Sequence, residues 1–303
     1  MAATTQRSTQ AVDELLFHND SVSLCLLVNR KNRCLRVIDF RAGPTLAKRN
    51  FVIATAKREG IEKVFVLVER DEVGTWMRLG FRREGNIPGF YKRSDAWLMG
   101  AVVSEVGPMR PESAYDDDDD LDDDEPNLAV EAAQKHVEKA KKLAADMRDK
   151  PVPQTKIAPL KRDAADKAVA AAEKAGRALS AFAPFSRDAE RLAHVVTGKG
   201  GFEVVVSHEL QPSFGSAFFE LLTGPRDDSE RSLTLSAIRT FMSKLVELGA
   251  HTAFTMTPAD DLLLSSTMIA AGFRRSAVLA SHIVVAGKRR DAIVWAKRLV
   301  GEN

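Results

Sequence analysis

One carboxylate stands inside an otherwise apolar stretch of the chain, and it is the first group that could do acid–base chemistry. Glu220 is the single acid of SAFFELLTG, whose length and apolar content are typical of a buried strand. A buried carboxyl group that faces a cleft has a raised pKa and can act as a general base. His208 and Glu209, which follow the apolar run FEVVV, are alternative bases. Strand alternation also allows Glu220 to face solvent.

The segment Gly224–Leu233 places cationic side chains at the start of a predicted helix. Backbone N–H groups at a helix N-terminus attract anions such as phosphate. Arg226, Arg231 and Ser232 could add side-chain contacts to such an anion. The other polar residues would repel it, or would simply cap the helix and supply its first-turn acids: Asp227, Asp228, Ser229 and Glu230. The sequence is therefore compatible with an anion-binding site and with an ordinary helix N-terminus.

The other reactive residue types show no recognised catalytic spacing. Ser265 and Ser266 could donate a hydrogen bond or order a water molecule, or could be surface serines of a helix. His251 and His282 have no carboxylate at an informative distance along the chain. The sequence contains no GxSxG, Walker or HExxH motif. Hydrolase, P-loop and zinc-protease chemistry are therefore not indicated.

The composition is that of a globular protein. The chain has 303 residues, 45% of them apolar and 28% charged, which suits two domains. No apolar run approaches the roughly 18 residues of a membrane span, and the start MAATTQRSTQ has no apolar core of a secretion signal. Cys25 and Cys34 lie in a predicted hairpin without metal-ligand spacing, so we expect two buried thiols and no metal. We expect a cytoplasmic protein.

A block of ten acids within Glu112–Glu125 is hidden by the overall net charge of +2. A block of like charge repels itself, so we expect it to be disordered and to separate two domains. It is either a solvated spacer or a binding segment for a basic protein partner, and nucleic acid is not expected because the block repels phosphates. The predicted division is a disordered tail (1–11), an N-terminal half-domain (12–105), an acidic linker (106–127), a helical linker (128–163) and a C-terminal domain (164–303).

Two Ala/Lys-rich segments follow the acidic block and are typical of helices. The first, NLAVEAAQKHVEKAKKLAADMRDK, has only a thin apolar stripe, and we expect it to be solvated. The second, LKRDAADKAVAAAEKAGRALSAFA, repeats apolar residues at spacings of three and four. It should therefore pack on the domain that follows.

The regions on either side of these segments repeat one order of elements. AKRNFVIATAKREG, KVFVLVE, DEVGTWMRLG and FRREG predict a helix, a strand, a short helix and a strand. SLTLSAIRTFMSKLVELG, HTAFTMT, PADDLLLSSTMIAAG and FRRSA predict the same order. The tetrapeptides Gly80–Arg83 and Gly272–Arg275 are identical, and glycines that end helices precede a strand at Gly60 and Gly249. The sequence therefore predicts a duplicated α/β architecture.

Several segments in the right order resemble the beta-lysine N-acetyltransferases of the GNAT superfamily. In the N-terminal half they are FHNDSVSLCLL, EGNIPGFY and KRSDAWLMG, with Asp95 and Met99 at the positions of the family's acid and methionine. In the C-terminal half they are FAPFSRDAERLAHVV, GAHTAFTMT and DAIVWAKRL. The resemblance covers about 12–100 and 178–299. It implies two tandem GNAT-like domains with mixed sheets, joined by the acidic segment and the Ala/Lys-rich helices.

What the resemblance implies about activity is acetyl transfer from acetyl-CoA to a small amine or amino acid, such as beta-lysine. Glu220 would be the general base, and Ser266 would assist the leaving thiolate, because Met268 occupies the position of the family's tyrosine. The implied cofactor contacts are Leu221, Leu222, Arg226, Ser229, Arg231, Ser232 and Leu233.

Three features depart from the family pattern. The cofactor turn lacks internal glycines, and the short segment SHELQPSFG predicts that an antiparallel hairpin has been lost. The corresponding N-terminal turn, Arg41–Leu46, has one glycine, so we expect that copy to be a structural or dimerising half. The alternative function is a catalytically inactive GNAT-fold binding or scaffold protein that engages a partner through the acidic linker.

Overall fold

The computed structural model describes residues 5–6, 12–20, 22–41, 43–107, 128–147 and 151–299. Its helices, within these residues, are α1 (Leu46–Arg58), α2 (Val73–Arg78), α3 (Leu128–Ala145), α4 (Arg162–Lys174), α5 (Asp228–Glu247) and α6 (Leu262–Ala270). Its strands are β1 (Thr5–Gln6), β2 (Asp13–His18), β3 (Ser23–Asn29), β4 (Cys34–Asp39), β5 (Lys63–Val68), β6 (Arg82–Ile87), β7 (Ala96–Val102), β8 (Lys156–Leu160), β9 (Arg191–Thr197), β10 (Glu203–Gln211), β11 (Ser216–Leu221), β12 (Thr252–Pro258), β13 (Arg274–Val285) and β14 (Lys288–Arg298).

All of these strands belong to one mixed sheet whose order is symmetric about its centre. From one edge the order is β1-β2-β3-β4-β5-β7-β6, and from the other it is β8-β9-β10-β11-β12-β14-β13. The halves meet where β6 and β13 pair at Gly85 and Ala277. Gly85 has a φ of +140°, and a Cβ there would lie 2.6 Å from the Cα of Ala277. The close approach of the two halves therefore requires glycine.

Each half repeats one succession of elements. A helix, a strand, a short helix and two strands follow one another as α1-β5-α2-β6-β7 and as α5-β12-α6-β13-β14. Gly80 and Gly272, which follow α2 and α6, both have a φ of +88°. The predicted α/β fold class, with a duplicated order of elements and mixed sheet pairing, is confirmed.

The halves have separate cores on the helix-bearing faces of the sheet and share a third core on the opposite face. In the N-terminal core, side chains of the sheet pack against side chains of α1 and α2. Examples are Leu35 and Val37 from the sheet and Val52, Ile53 and Trp76 from the helices. In the C-terminal core, side chains of the sheet pack in the same way against α5 and α6. Examples are Phe219 and Leu221 from the sheet and Ile238, Phe241 and Met268 from the helices. The shared core draws aromatic residues from both halves: Phe65, Phe90, Phe185, Phe218 and Phe254. The shared core therefore brings the second faces of the two half-sheets together.

The predicted loss of a hairpin is wrong. β9, β10 and β11 form an antiparallel meander in which Val206 is opposite both His194 and Leu221. The residues SHELQ continue β10 instead of forming a turn. Their polar side chains obscure the strand in the sequence, although His208 and Glu209 are both buried.

The segment after the acidic block also differs from expectation. α3 packs on α6, and it buries Ala133, Val137, Ala140 and Ala144, so the prediction of a solvated helix is wrong. α4 buries Ala165 and Val169 against the C-terminal half, as predicted. β8 lies within 128–163 and pairs with β9. The acidic block and most of the N-terminal tail lie outside the described residues, and the domain boundaries stay predictions.

Two expectations from composition can be compared with the described residues. Cys25 and Cys34 are buried free thiols on adjacent strands, as predicted. No helix in the described ranges is long and apolar enough to cross a membrane.

Candidate functional site

The parallel strands β11 and β12 diverge in the C-terminal half. Their ladder joins Ser216–Phe218 to Thr252–Phe254 and stops there. Glu220 and Met256 lie two residues beyond the last pair, on the two sides of the opening. Both border a cavity of about 100 Å³ on the face of the sheet opposite α5.

This cavity lies between the two halves of the chain and is lined by both. The N-terminal half contributes side chains from β3, β4 and β5, and the C-terminal half contributes the segment before β9, together with β11, β12 and β13. The polar and aromatic residues that matter below are Cys34, Arg36, Phe65, Ser180, Phe185, Glu220 and His282. A cavity of this size holds several water molecules or a small ligand.

Glu220 faces this cavity rather than open solvent. Its neighbours Phe219 and Leu221 point to the α5 core, so alternation turns Glu220 to the other face. Its side chain is 20% exposed, and Arg191 donates to it over 2.5 Å. Burial raises the pKa of Glu220, and Arg191 opposes that shift. The carboxyl group therefore has the properties of a general base that can gain and lose a proton.

The alternative bases have other roles. Glu209 is fully buried and accepts bonds from the backbone N–H groups of Phe185 and Ser186 and from Arg191. Its carboxylate thereby fixes the segment that lines the cavity. His208 lies on the opposite face, beside His194 and Phe241. Neither residue lines the cavity.

The predicted anion site at the start of α5 is a second pocket, of about 380 Å³. Arg226, Ser229, Glu230 and Leu233 border it, as do Arg177, Lys199 and the glycine turn at 200–201. Asp227 caps the helix by accepting from the N–H of Glu230 over 2.9 Å. Arg226 donates to the Glu230 carboxylate twice, from its guanidinium over 2.6 Å and from its backbone N–H over 2.9 Å. The pocket thus combines three cations with three carboxylates, the third being Glu203.

Arg231 does not join Arg226 in this pocket. Its side chain is 4% exposed, lies 3.3 Å from the carboxylate of Asp228 and donates to the Ser266 hydroxyl over 3.4 Å. The Ser232 hydroxyl donates to the carbonyl of Asp228. Only part of the predicted cation set therefore converges on the pocket.

The remaining predicted residues are buried in the C-terminal half. Leu221 packs in the α5 core, and the backbone of Leu222 pairs with Val205 and Leu179. Ser266 is fully buried on α6 and donates to the carbonyl of Leu263 over 2.8 Å. It does not line the Glu220 cavity, so the structure does not bring the two predicted catalytic residues together there.

Two cavity residues were not predicted to belong to the site: Arg36 was not considered, and His282 was set aside for want of a carboxylate nearby in the sequence. Arg36 is the one cation of CLRVID, and its position in an apolar strand was a usable signal. His282 is 6% exposed and packs edge-on against Phe65, with centroids 4.8 Å apart. Burial, reinforced by Lys63 and Arg289, lowers the pKa of His282 well below its usual value, so its imidazole is neutral.

Comparison with known proteins gives a likeness at the level of fold. No family model and no curated protein matches this sequence. Among solved structures, the ribosomal-protein-S18-alanine N-acetyltransferase from Escherichia coli is 18% identical, with a TM-score of 0.38 over 50% of this chain and 98% of its own. The dodecameric spermidine N-acetyltransferase from Vibrio cholerae is 14% identical, with a TM-score of 0.39 over 48% of this chain and 94% of its own. Each match has about the length of one half of this chain.

Proposed function

We propose that this protein is an acetyl-CoA-dependent N-acetyltransferase that acts on a small amine, with amino acids of the beta-lysine type as the acceptor class. The observation that carries the proposal is the opening between β11 and β12, which has a half-buried carboxyl group, Glu220, at its edge. An amine must lose a proton to attack a thioester, and Glu220 is placed to accept it. The order of GNAT-like segments along the chain supports the same activity.

The residues at the start of α5 fit the phosphates of coenzyme A. This pocket lies at the N-terminus of a 20-residue helix, where backbone N–H groups favour anions. Arg177, Lys199 and Arg226 would hold the phosphates, and Ser229 borders the same space. Bound acetyl-CoA would supply the acetyl group. Glu220 would take the proton of the attacking amine, and Arg191 would hold its carboxylate in position.

Isothermal titration with acetyl-CoA and with coenzyme A tests this proposal. We expect micromolar binding, and a loss of at least about tenfold in the double variant Arg177→Ala, Arg226→Ala, because a hydrogen bond to a charged group is worth about 1.5–3 kcal/mol. Lys244→Ala, at the other end of α5, is the matched control and should bind as the unchanged protein does. Absence of binding up to millimolar ligand would favour an inactive binding protein instead.

A further inference from the structure

Arg36 is a half-buried cation without a carboxylate partner. Its guanidinium stacks on the Phe185 ring, 4.1 Å from the centroid, and one of its terminal nitrogens donates to the Phe185 carbonyl. Its Nε is buried and has no hydrogen-bond partner. Among the described residues, no carboxylate lies within ion-pair distance of Arg36. Burial lowers the pKa of Arg36 only to about 10, so its charge persists at neutral pH.

The nearby carboxylates are engaged elsewhere. Arg191 donates to Glu209 over 2.9 Å and to Glu220 over 2.5 Å, so one cation serves both acids. Glu209 also accepts two backbone N–H groups, at 2.8 and 2.7 Å. The carboxylates around the cavity therefore have their cation partner within the C-terminal half. The guanidinium of Arg36, which comes from the N-terminal half, has no carboxylate partner.

A charge that is partly removed from water and has no ion partner is costly, and a ligand of opposite charge can offset that cost. A guanidinium presents a planar set of donors that matches a carboxylate in particular. The same cavity holds Glu220, whose carboxylate can accept from an amine in addition to Arg191. It also holds the neutral His282, whose buried Nδ1 has no partner. A ligand with a carboxylate and an amine would therefore find a partner for the carboxylate in Arg36 of the N-terminal half and a partner for the amine in Glu220 of the C-terminal half.

We propose that Arg36 binds the carboxylate of the acceptor, so that the N-terminal half selects amino acids over simple amines. The acceptor's amine would then lie toward Glu220. The assignment of this ligand as an acetyl acceptor rests on the proposed function, whereas its recognition through the acid group can be measured without acetyl transfer.

The test compares ligands that differ by one carboxylate. Lysine against cadaverine, and ornithine against putrescine, are titrated into the full chain without acetyl-CoA, and beta-lysine is titrated as a further amino acid. We expect at least one amino acid to bind at least about tenfold more tightly than its diamine, as expected for a charged hydrogen bond. Arg36→Gln should abolish that preference by weakening the amino acid and leaving the diamine unchanged.

Two further variants keep the result interpretable. Arg30→Gln removes an exposed arginine of the same half, paired with Asp13 and Glu59, and should keep the preference. Arg36→Lys retains the charge without the planar set of donors. If Arg36→Gln fails to fold by circular dichroism, Arg36→Lys is measured in its place and should keep only part of the preference for the amino acid over its diamine. Equal affinity for both members of every pair, no binding of any amino acid, or a preference that survives Arg36→Gln would overturn the proposal.

The outcome also separates this inference from the proposed function. Arg36-dependent binding of an amino acid, together with no binding of acetyl-CoA, would support the carboxylate subsite and contradict the acetyltransferase. Binding of acetyl-CoA with turnover of diamines and amino acids at equal rates, unaffected by Arg36→Gln, would support the enzyme and contradict the subsite.

Discussion

The two halves of the chain share a framework and differ at the positions that could do chemistry. Counted from the first pair of the parallel ladder, Cys34 with Lys63 and Ser216 with Thr252, Ile38 corresponds to Glu220. The N-terminal half therefore has an aliphatic side chain where the C-terminal half has the candidate base. One fold thus carries a candidate base in one copy and none at the same position in the other.

The turns before α1 and α5 differ in the same way. Lys48 is fully buried in the first turn of α1 and bonds the carboxylate of Asp39 and the carbonyl of Arg41. At the corresponding place in the C-terminal half, Arg226 and Glu230 pair at the surface and border a pocket. The first turn is closed by an internal ion pair, whereas the second is open to a ligand.

The largest expected effect comes from removing the carboxylate that the C-terminal strand has and the N-terminal strand lacks. Glu220→Gln should lower kcat by about 10²–10⁴, the usual contribution of a general base, while acetyl-CoA binding persists. Because burial raises the pKa of Glu220 and the base must be ionised, kcat/KM should rise with pH through that pKa, and the variant should lose this rise.

Steady-state acetyl transfer across pH, with the acceptor found by titration, measures this effect. Ile38→Val, the matched change in the N-terminal half, should leave the pH profile intact. An unchanged kcat in Glu220→Gln would remove Glu220 from the reaction.

The ion pair that closes the N-terminal turn gives the next largest effect. Asp39→Asn leaves Lys48 charged and buried without a carboxylate, which should lower the free energy of unfolding by about 3–5 kcal/mol. Glu230→Gln, at the position in α5 that corresponds to Lys48, leaves Arg226, which is 65% exposed, and should cost less than about 1 kcal/mol. Urea denaturation of both variants measures the difference. Equal losses would contradict the contrast between a closed and an open turn.

His208 distinguishes the two cores by their response to acid. Phe219 pairs with His208 in the sheet, and the corresponding N-terminal pair is Val37 with Leu26, so a leucine occupies the equivalent position. Burial, with smaller effects of His194 and Arg191, lowers the pKa of His208 to about 4. In the unfolded chain His208 takes up a proton near pH 6.5, whereas in the folded protein it stays neutral until about pH 4. The contribution of neutral His208 to the free energy of unfolding is therefore complete above pH 6.5 and is lost as pH falls to about 4.

The shift corresponds to about 3 kcal/mol, because one pKa unit is worth about 1.4 kcal/mol. His208→Leu should therefore lose about 3 kcal/mol less than the unchanged protein between pH 7 and pH 4 in urea titrations. The variant Leu26→Ile, at the N-terminal position, should not alter the pH dependence. Identical acid sensitivity with and without His208 would show that other groups control it.

Local patterns in the sequence predicted the framework because helices, glycine ends and apolar strands are encoded within each segment. The full length of β10 was not predicted, because SHELQ is polar and is held in the strand by pairing with β9 and β11. Glu220 could be identified by its apolar context. Arg36 and His282 could not be placed together, because they lie 246 positions apart and meet only when the halves pack. No local pattern encodes that contact.

The smallest expected effect concerns the open turn itself. Glu230 holds Arg226 and places a carboxylate beside the proposed phosphate pocket. Arg226 lowers the pKa of Glu230, so this charge persists at neutral pH. Glu230→Gln should free Arg226 and strengthen acetyl-CoA binding about three- to fivefold, which is under about 1 kcal/mol. The gain should be equal at pH 6 and pH 8 and should shrink as added salt screens the charges. Glu247→Gln, at the far end of α5, is the control and should leave the affinity unchanged. Weaker binding in Glu230→Gln would show instead that Glu230 positions Arg226 for the phosphates, so that the acids of this turn belong to the site rather than oppose it.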